Sequence, residues 1–323
     1  NILHHAAIHD CNDGTFNYLV NFLKNDPAKM EKLFLKKDIK GQTPFNWAMR
    51  GGQVNNMISI LEESNKLGIQ DQILMNENEE GENLLHFAAS DICNSDMFTY
   101  VLNLFKSEMK KMLSKSDVRS NTPLNVAIIF GQTNKIKSIF EESDKLGILD
   151  QIVMNRNIRL ENVLHHASNK SCNDDAFICV LDLIKGDRVK TKTLFSQTNC
   201  DGETPFNITV INGTLTKMKF ILEESHKLGI LESFIIIENK LNQNVLHHAA
   251  NDYFNDNAFE LFLNFIKSDR TIMEKLLSQR NDKGETPFDI ALLKRQSTKI
   301  KSLLEESHKL GILDNFIMNN NKN

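Results

Sequence analysis

Two short phrases alternate along this chain. Thr-Pro-Phe stands at Thr43, Thr204 and Thr286, with a Thr-Pro-Leu version at Thr122, and Asn-x-Leu-His-x-Ala opens at Asn1, Asn83, Asn162 and Asn244. Successive phrases lie 39 to 42 residues apart. Self-similarity on that scale is the mark of stacked repeats, in which each unit buries its apolar face against its neighbours. The length of 323 residues would suit two ordinary domains, but the regular period predicts one array over residues 1–323. Its repeats start near positions 1, 43, 83, 122, 162, 204, 244 and 286. The chain opens inside a phrase and reaches Ile317-Met318-Asn319 just where other units begin a new one. We therefore expect a piece of a longer array, with any targeting signal outside it.

Within each pair of repeats the apolar residues keep a helical period. The run Phe16-Asn17-Tyr18-Leu19-Val20-Asn21-Phe22-Leu23 recurs from Phe98, Phe177 and Phe259, which predicts a helix with one core face. A second apolar pair follows at Leu33-Phe34, Met112-Leu113, Leu194-Phe195 and Leu276-Leu277. Thr before Pro at each Thr-Pro phrase is sound chemistry for a helix start. The near-verbatim tag Glu62-Glu63-Ser64-Asn65-Lys66-Leu67-Gly68-Ile69, repeated from Glu141, Glu223 and Glu305, closes a longer helix on Gly68, Gly147, Gly229 or Gly311. Each repeat thus reads as helix-turn-helix, and the fold class as all-α.

Asp282-Lys283-Gly284-Glu285-Thr286-Pro287-Phe288-Asp289-Ile290-Ala291 resembles the ankyrin repeat phrase, and Asn162-Val163-Leu164-His165-His166-Ala167 is similar to its helical core. Gly131-Gln132 stands where that family usually has Gly-His. The resemblance covers nearly the whole chain as eight repeats and implies a curved solenoid of helix pairs. These repeats exceed the usual period of about 33 residues. The surplus falls in the second helices and after the Lys-Leu-Gly-Ile tags, so Ile69 to Glu82 is expected to form a longer loop in place of a tight turn.

The residues that could carry chemistry mostly fit structural roles better. Neighbouring side chains on a helix diverge by about 100°, so His4-His5, His165-His166 and His247-His248 cannot chelate one ion as an i, i+4 pair would. The resemblance implies that the first His of each phrase, at His4, His86, His165 and His247, bridges backbone and Thr hydroxyls between repeats. The paired glutamates of the tags also diverge, with a Lys three residues on, and read as a solvated helix face. Cys11, Cys93 and Cys172 share their register with Phe254, which marks a buried apolar position and not a ligand. With five cysteines and no disulfide spacing, a cytoplasmic or other reducing intracellular compartment is expected, a host cytosol included. Trp47 replaces Val126, Ile208 and Ile290 of other repeats and is expected in the core. Neither a phosphate-cradling, a metalloprotease nor a hydrolase motif occurs, so no catalytic, metal or cofactor residues are expected.

The net charge of −4 is spread along the chain, which gives no electrostatic footprint for nucleic acid or an anionic membrane. No run approaches the roughly 18–20 apolar residues of a membrane span. What varies from repeat to repeat is the residues around the turn glycine and before the inter-helix break. In the family these line the surface that grips partners. The matching candidates are Ile39, Lys40, Gln42 and Arg50; Arg119, Ser120, Ile129 and Phe130; Ile211 and Asn212; and Lys283, Glu285, Leu293 and Lys294. Ile129-Phe130 is the expected anchor, with inward packing of both as the alternative. The expected function is a protein–protein interaction scaffold. Heavy use of Asn, Lys, Ile and Phe suggests a host-interaction effector of an intracellular bacterium or parasite. Two alternatives stay open: the spring of a larger channel or toxin, and the substrate-choosing array of an enzyme whose catalytic domain lies elsewhere.

Overall fold

The structure, a computed structural model, describes residues 1–8, 14–105 and 107–313; Cys11 and Ile317-Met318-Asn319 lie outside them. The described residues are helical, without strands. They form two compact units, Asn1–Ile158 and a second from Arg159 onward. In the first unit α1(Ile2–Ile8), α2(Gly14–Leu23), α3(Pro27–Phe34), α4(Pro44–Arg50), α5(Val54–Lys66) and α6(Gln70–Leu74) make two repeats. The next two repeats are α7(Leu84–Ala89), α8(Ser95–Leu104), α9(Met109–Ser114), α10(Pro123–Ile129), α11(Thr133–Lys145) and α12(Leu149–Val153). The second unit repeats the plan with α13(Val163–Ser168), α14(Asp174–Ile184), α15(Arg188–Ser196), α16(Pro205–Ile211), α17(Leu215–Lys227) and α18(Glu232–Ile235). It continues with α19(Val245–Ala249), α20(Asp256–Ile266), α21(Arg270–Ser278), α22(Pro287–Leu293) and α23(Ser297–Leu310).

Each complete repeat thus holds three helices where two were expected. The extra turn of helix, α3, α6, α9 and their equivalents, absorbs the surplus length, and the apolar pairs such as Leu33-Phe34 lie on it. The longer loop expected over Ile69 to Glu82 is corrected accordingly: Gln70–Leu74 is helical and a tight turn follows it. Asn78 Oδ1 accepts the Glu82 N–H at 2.8 Å, and the Glu79 N–H reaches the Lys40 carbonyl of the preceding turn at 3.1 Å. Val118 to Glu80 and Ile158 to Arg119 continue that link at 2.8 and 2.9 Å. At Gly41, φ is +74°, and a Cβ there would lie 2.8 Å from the Glu79 nitrogen; the approach of neighbouring turns therefore requires glycine.

The two phrases start their inner helices with different side chains for a physical reason. Asn83 caps α7 through Oδ1, which accepts the His86 N–H at 3.1 Å, while its Nδ2 donates to the Met112 carbonyl at the end of α9, 2.8 Å away. Asn162 and Asn244 hold Leu194 and Leu276 in the same way, at 2.8 and 2.9 Å. Threonine cannot accept and donate over that span. At the Thr-Pro helices the reciprocal cap closes locally: Thr43 N–H and Oγ1 both donate to Asn46 Oδ1, at 2.9 and 2.8 Å. In the Asn-x-Leu-His repeats the histidine then joins its repeat to the Thr-Pro repeat that follows. His4, His86, His165 and His247 place Nε2 3.0–3.1 Å from the carbonyls of Gln42, Asn121, Glu203 and Glu285. A carbonyl can only accept, so Nε2 carries the proton. The hydroxyls of Thr43 and Thr122, expected to take part in the bridge, donate instead to the cap.

Apolar side chains fill the space between these ties. Leu85, Leu164 and Leu246 are fully buried, and Cys93, Cys172 and Phe254 occupy one buried register. Burial pushes the thiols of Cys93 and Cys172 up to about 11, which makes them inert. In the second unit Phe195 stacks on Phe234 with ring centroids 5.1 Å apart, and Phe206 meets Phe234 edge-on at 5.7 Å.

Two expectations need correction here. Trp47 is half-buried and not core; its Nε1 donates to Asp38 Oδ2 at 2.8 Å and braces the turn. The tag glutamates are not uniformly solvated either. Glu63 is buried between Lys66 and Lys24, at 2.7 and 3.3 Å; bonds from both lysines overcome the effect of burial and hold its carboxyl below the usual range.

The sequence reading missed a third polar device. Lys135, Lys217 and Lys299 are buried at one register of α11, α17 and α23, and among the described residues none of them forms an ion pair. Lys217 Nζ donates to the carbonyls of Ala167, Asn169 and Cys172 at 2.9, 2.6 and 2.6 Å, where α13 ends. Lys135 does the same to Ser90 and Cys93, each at 2.5 Å, and Lys299 to Asn251 and Phe254. A cation suits the negative end of a helix, and the Phe177 ring lies 5.7 Å from the Lys217 nitrogen.

Leu164→Ala should lower unfolding free energy by about 2–5 kcal/mol in urea titration, since it opens a cavity at a fully buried site; an unchanged midpoint would remove Leu164 from the core. The histidine bridges set a pH dependence. Burial lowers the pKa of His4 and His86, and takes His247 to about 4. The unfolded histidine titrates near 6.5, so between about 6.5 and 4 the unfolded chain binds more protons, and stability is lost as the pH is lowered through that window. A single such site contributes up to about 3 kcal/mol over that window. His247→Gln should flatten this part of the profile; an unaltered slope would show that the bridge does not govern it.

Candidate functional site

Six of the candidate side chains meet in one groove of the first unit. Lys40 and Gln42 enter it from the turn before α4, Arg50 from the end of α4, Arg119 from the turn before α10, and Ile129 and Phe130 from the end of α10. The groove has a volume of about 500 Å³, within the range of ligand pockets. Phe130 caps the C-terminus of α10 and is 43% exposed, while Ile129 beneath it is half-buried. The alternative in which both pack inward therefore holds for neither completely. An exposed aromatic beside an aliphatic wall suits an interface anchor.

The turn before α7 completes the lining and was missed. Asn78, Glu79, Glu80 and Glu82 face the groove with Asp117 and Asn121, and Phe87, Ile92 and Val126 form its apolar wall. The signal is present in the sequence: Asn78-Glu79-Glu80-Gly81-Glu82 has the spacing of Asp38-Ile39-Lys40-Gly41-Gln42, although it precedes an Asn-x-Leu-His phrase and not a Thr-Pro one. Glu82 is half-buried and donor Asn78 Nδ2 meets its Oε2 at 2.7 Å. Burial raises its pKa first, the Asn78 bond opposes that, and the charges of Asp117 and Glu80 raise it further.

The remaining candidates stand apart from this groove. Ile39 sits at a turn tip, 89% exposed. Ser120 holds the turn at φ 63°, where Gly41 and Gly81 stand in neighbouring turns, so its variability reports turn geometry. In the second unit Ile211 and Asn212 end α16, both partly exposed. Lys283 is exposed in the turn before α22; Glu285 there accepts from Asn281 Nδ2 at 2.9 Å. Leu293 is exposed at the end of α22, and Lys294 lies 3.8 Å from Asp252.

The second unit also holds a polar knot of buried His248, Glu203 and Asn239, with the more exposed Tyr253 at its edge. His248 Nε2 lies 3.2 Å from Glu203 Oε1 and its Nδ1 3.3 Å from the Tyr253 hydroxyl, while Asn239 Nδ2 donates to Glu203 at 2.6 Å. Burial alone would raise the Glu203 carboxyl, but bonds from His248 and Asn239 outweigh it and hold the group low. Burial, with Glu203 close by, pushes the Tyr253 phenol up to about 12. A phenol held so firmly protonated is a hydrogen-bond donor and not a nucleophile. Among the described residues no cluster of three His, Cys, Asp or Glu is placed to hold a metal, and no helix is long and apolar enough to cross a membrane.

Asx-braced turns, capped inner helices and His-to-carbonyl bridges together define an ankyrin-type repeat fold. The chain is similar to the solved ankyrin repeat domain of Bcl-3, described as a unique member of the IκB protein family, with a TM-score of 0.54 and 17% identity. That match covers 82% of this chain and 99% of the other. An ankyrin repeat domain from Acinetobacter baumannii AYE aligns at a TM-score of 0.48 and 15% identity, over 69% of this chain and 97% of that one. No family model matches the sequence, and no curated protein does.

Because Phe130 projects from a helix end into solvent, Phe130→Asp should leave helical circular dichroism and the melting midpoint within about 0.5 kcal/mol of the parent. A large loss of stability would place the ring in the core.

Proposed function

We propose that this chain is a protein–protein interaction scaffold whose first unit docks a protein partner in the groove between Lys40 and Phe130. From composition, we further propose an effector role for it in the cytosol of a host. The observation that carries the docking reading is the exposed Phe130 over half-buried Ile129, facing charged side chains from three successive turns across one groove. An aromatic anchor ringed by polar groups is the arrangement that concentrates binding energy in interfaces. The rest of the molecule supplies rigidity: each turn, cap and bridge fixes the groove walls before a partner arrives, which reduces the ordering cost of association.

Affinity capture with quantitative mass spectrometry tests this with three baits: the parent chain, Phe130→Asp and Tyr18→Asp, the last altering an exposed residue of α2 away from the groove. The expected outcome is a protein retained by the parent and by Tyr18→Asp and depleted at least tenfold on Phe130→Asp. Equal recovery on all three baits would move docking off this surface.

A further inference from the structure

The groove carries a chemical preference, and the argument for it rests on the docking role proposed above. Its charged side chains are Lys40, Arg50 and Arg119 on one side of the balance, and Glu79, Glu80, Glu82 and Asp117 on the other. Among the described residues none of these seven has an ion-pair partner; the nearest pair in sequence, Lys115 with Glu77 at 2.7 Å, leaves them out. Glu82 and Asp117 are half-buried, while Glu79 and Glu80 are exposed. Glu82 faces Glu80 and Asp117, with the charge of Arg119 opposing them. A half-buried carboxylate among like charges gains most from a cation brought by a ligand, since both are then withdrawn from water together.

Gln42 supplies an independent pointer to a ligand. It is only 5% exposed, yet it lines the groove. Its backbone is fully used, the N–H donating to Asp38 at 2.9 Å and the carbonyl accepting from His4 at 3.0 Å. Its side-chain amide makes no hydrogen bond among the described residues. The residue is largely buried, but its amide opens on the groove, where its donor and acceptor are available to an occupant. One donor and one acceptor on a planar group match a single peptide unit of another chain.

We propose that this groove binds an unfolded or extended peptide segment of the partner that places a Lys or Arg among Glu80, Glu82 and Asp117 and an adjacent large apolar side chain against Ile129 and Phe130. Gln42 pairs with the main chain of that segment.

Selection of random twelve-residue phage-displayed peptides on the immobilised full chain tests this. Enriched peptides should carry Lys or Arg within three positions of Phe, Leu, Ile or Trp. Synthetic copies should bind at least tenfold more weakly to Glu80→Gln/Glu82→Gln, and the salt dependence of binding should shrink in that variant. Gln42→Ala should weaken all selected peptides by a similar factor, whatever their sequence. Circular dichroism melts check that each variant remains folded. Selection of acidic or uncharged peptides, or indifference to the double Gln variant, overturns the cation assignment. If such peptides still lose affinity on Phe130→Asp, the docking groove itself stands. Peptides that ignore both changes, or no enrichment at all, refute the proposal, and indifference to Phe130→Asp refutes the docking site with it.

Discussion

A histidine ring nitrogen donating to a backbone carbonyl about 38 residues ahead is the tie on which the stacking of these repeats depends. The ring lies at the third position of its helix, so its direction is set by the asparagine cap below it. Its target is the carbonyl just before the next helix start, so it fixes where that helix begins. Replacing the ring by a leucine of similar size would keep the apolar contacts and leave a buried carbonyl without a partner, a penalty of about 1–3 kcal/mol. Apolar packing supplies most of the free energy of folding, but it is indifferent to small slips. Directional bonds at fixed intervals remove that freedom and set one register.

The same reasoning shows what could be read from the residues alone. Asn-x-Leu-His and Thr-Pro are local signals: the cap, the proline at the first helical position and the glycine after Lys-Leu each act within one turn of chain, so Asn83, Pro123 and Gly68 announced their helices directly. The third helices were not announced. Met109–Ser114 and Gln70–Leu74 are only a turn or so long, too short to form alone, and exist because Met112, Leu113, Ile73 and Leu74 find a core prepared by other elements. Trp47 looked like core by substitution, yet its indole nitrogen needs an acceptor, and Asp38 in the neighbouring turn draws it outward.

The groove was half legible. Variation around the turns marked Lys40, Arg50, Arg119 and Phe130, but which variable residues share a space depends on how successive turns link, and that is settled by the Glu79-to-Lys40 and Val118-to-Glu80 bonds. Ser120 illustrates the opposite error. It stands at the left-handed position of the turn that Gly41, Gly81, Leu160 and Asn242 occupy elsewhere, so the exchange there follows the backbone of the turn. The buried lysines were hidden for a different reason. Lysine is read as surface by default, and only the ends of α7, α13 and α19, with carbonyls unmet by any further turn, make a buried ammonium acceptable.

Lys217 reaches back 48 to 50 residues to close the helix of an earlier repeat, while the asparagine and histidine ties span 29 to 38 residues. Within a unit, each junction from an Asn-x-Leu-His repeat to the Thr-Pro repeat after it therefore contains its own histidine tie, joined at α11, α17 and α23 by a lysine. A gene segment encoding about 80 residues could be copied in tandem and the copy would carry these ties with it. Growth by duplication would need no compensating substitutions elsewhere, while the turn residues of each fresh copy would be free to diverge.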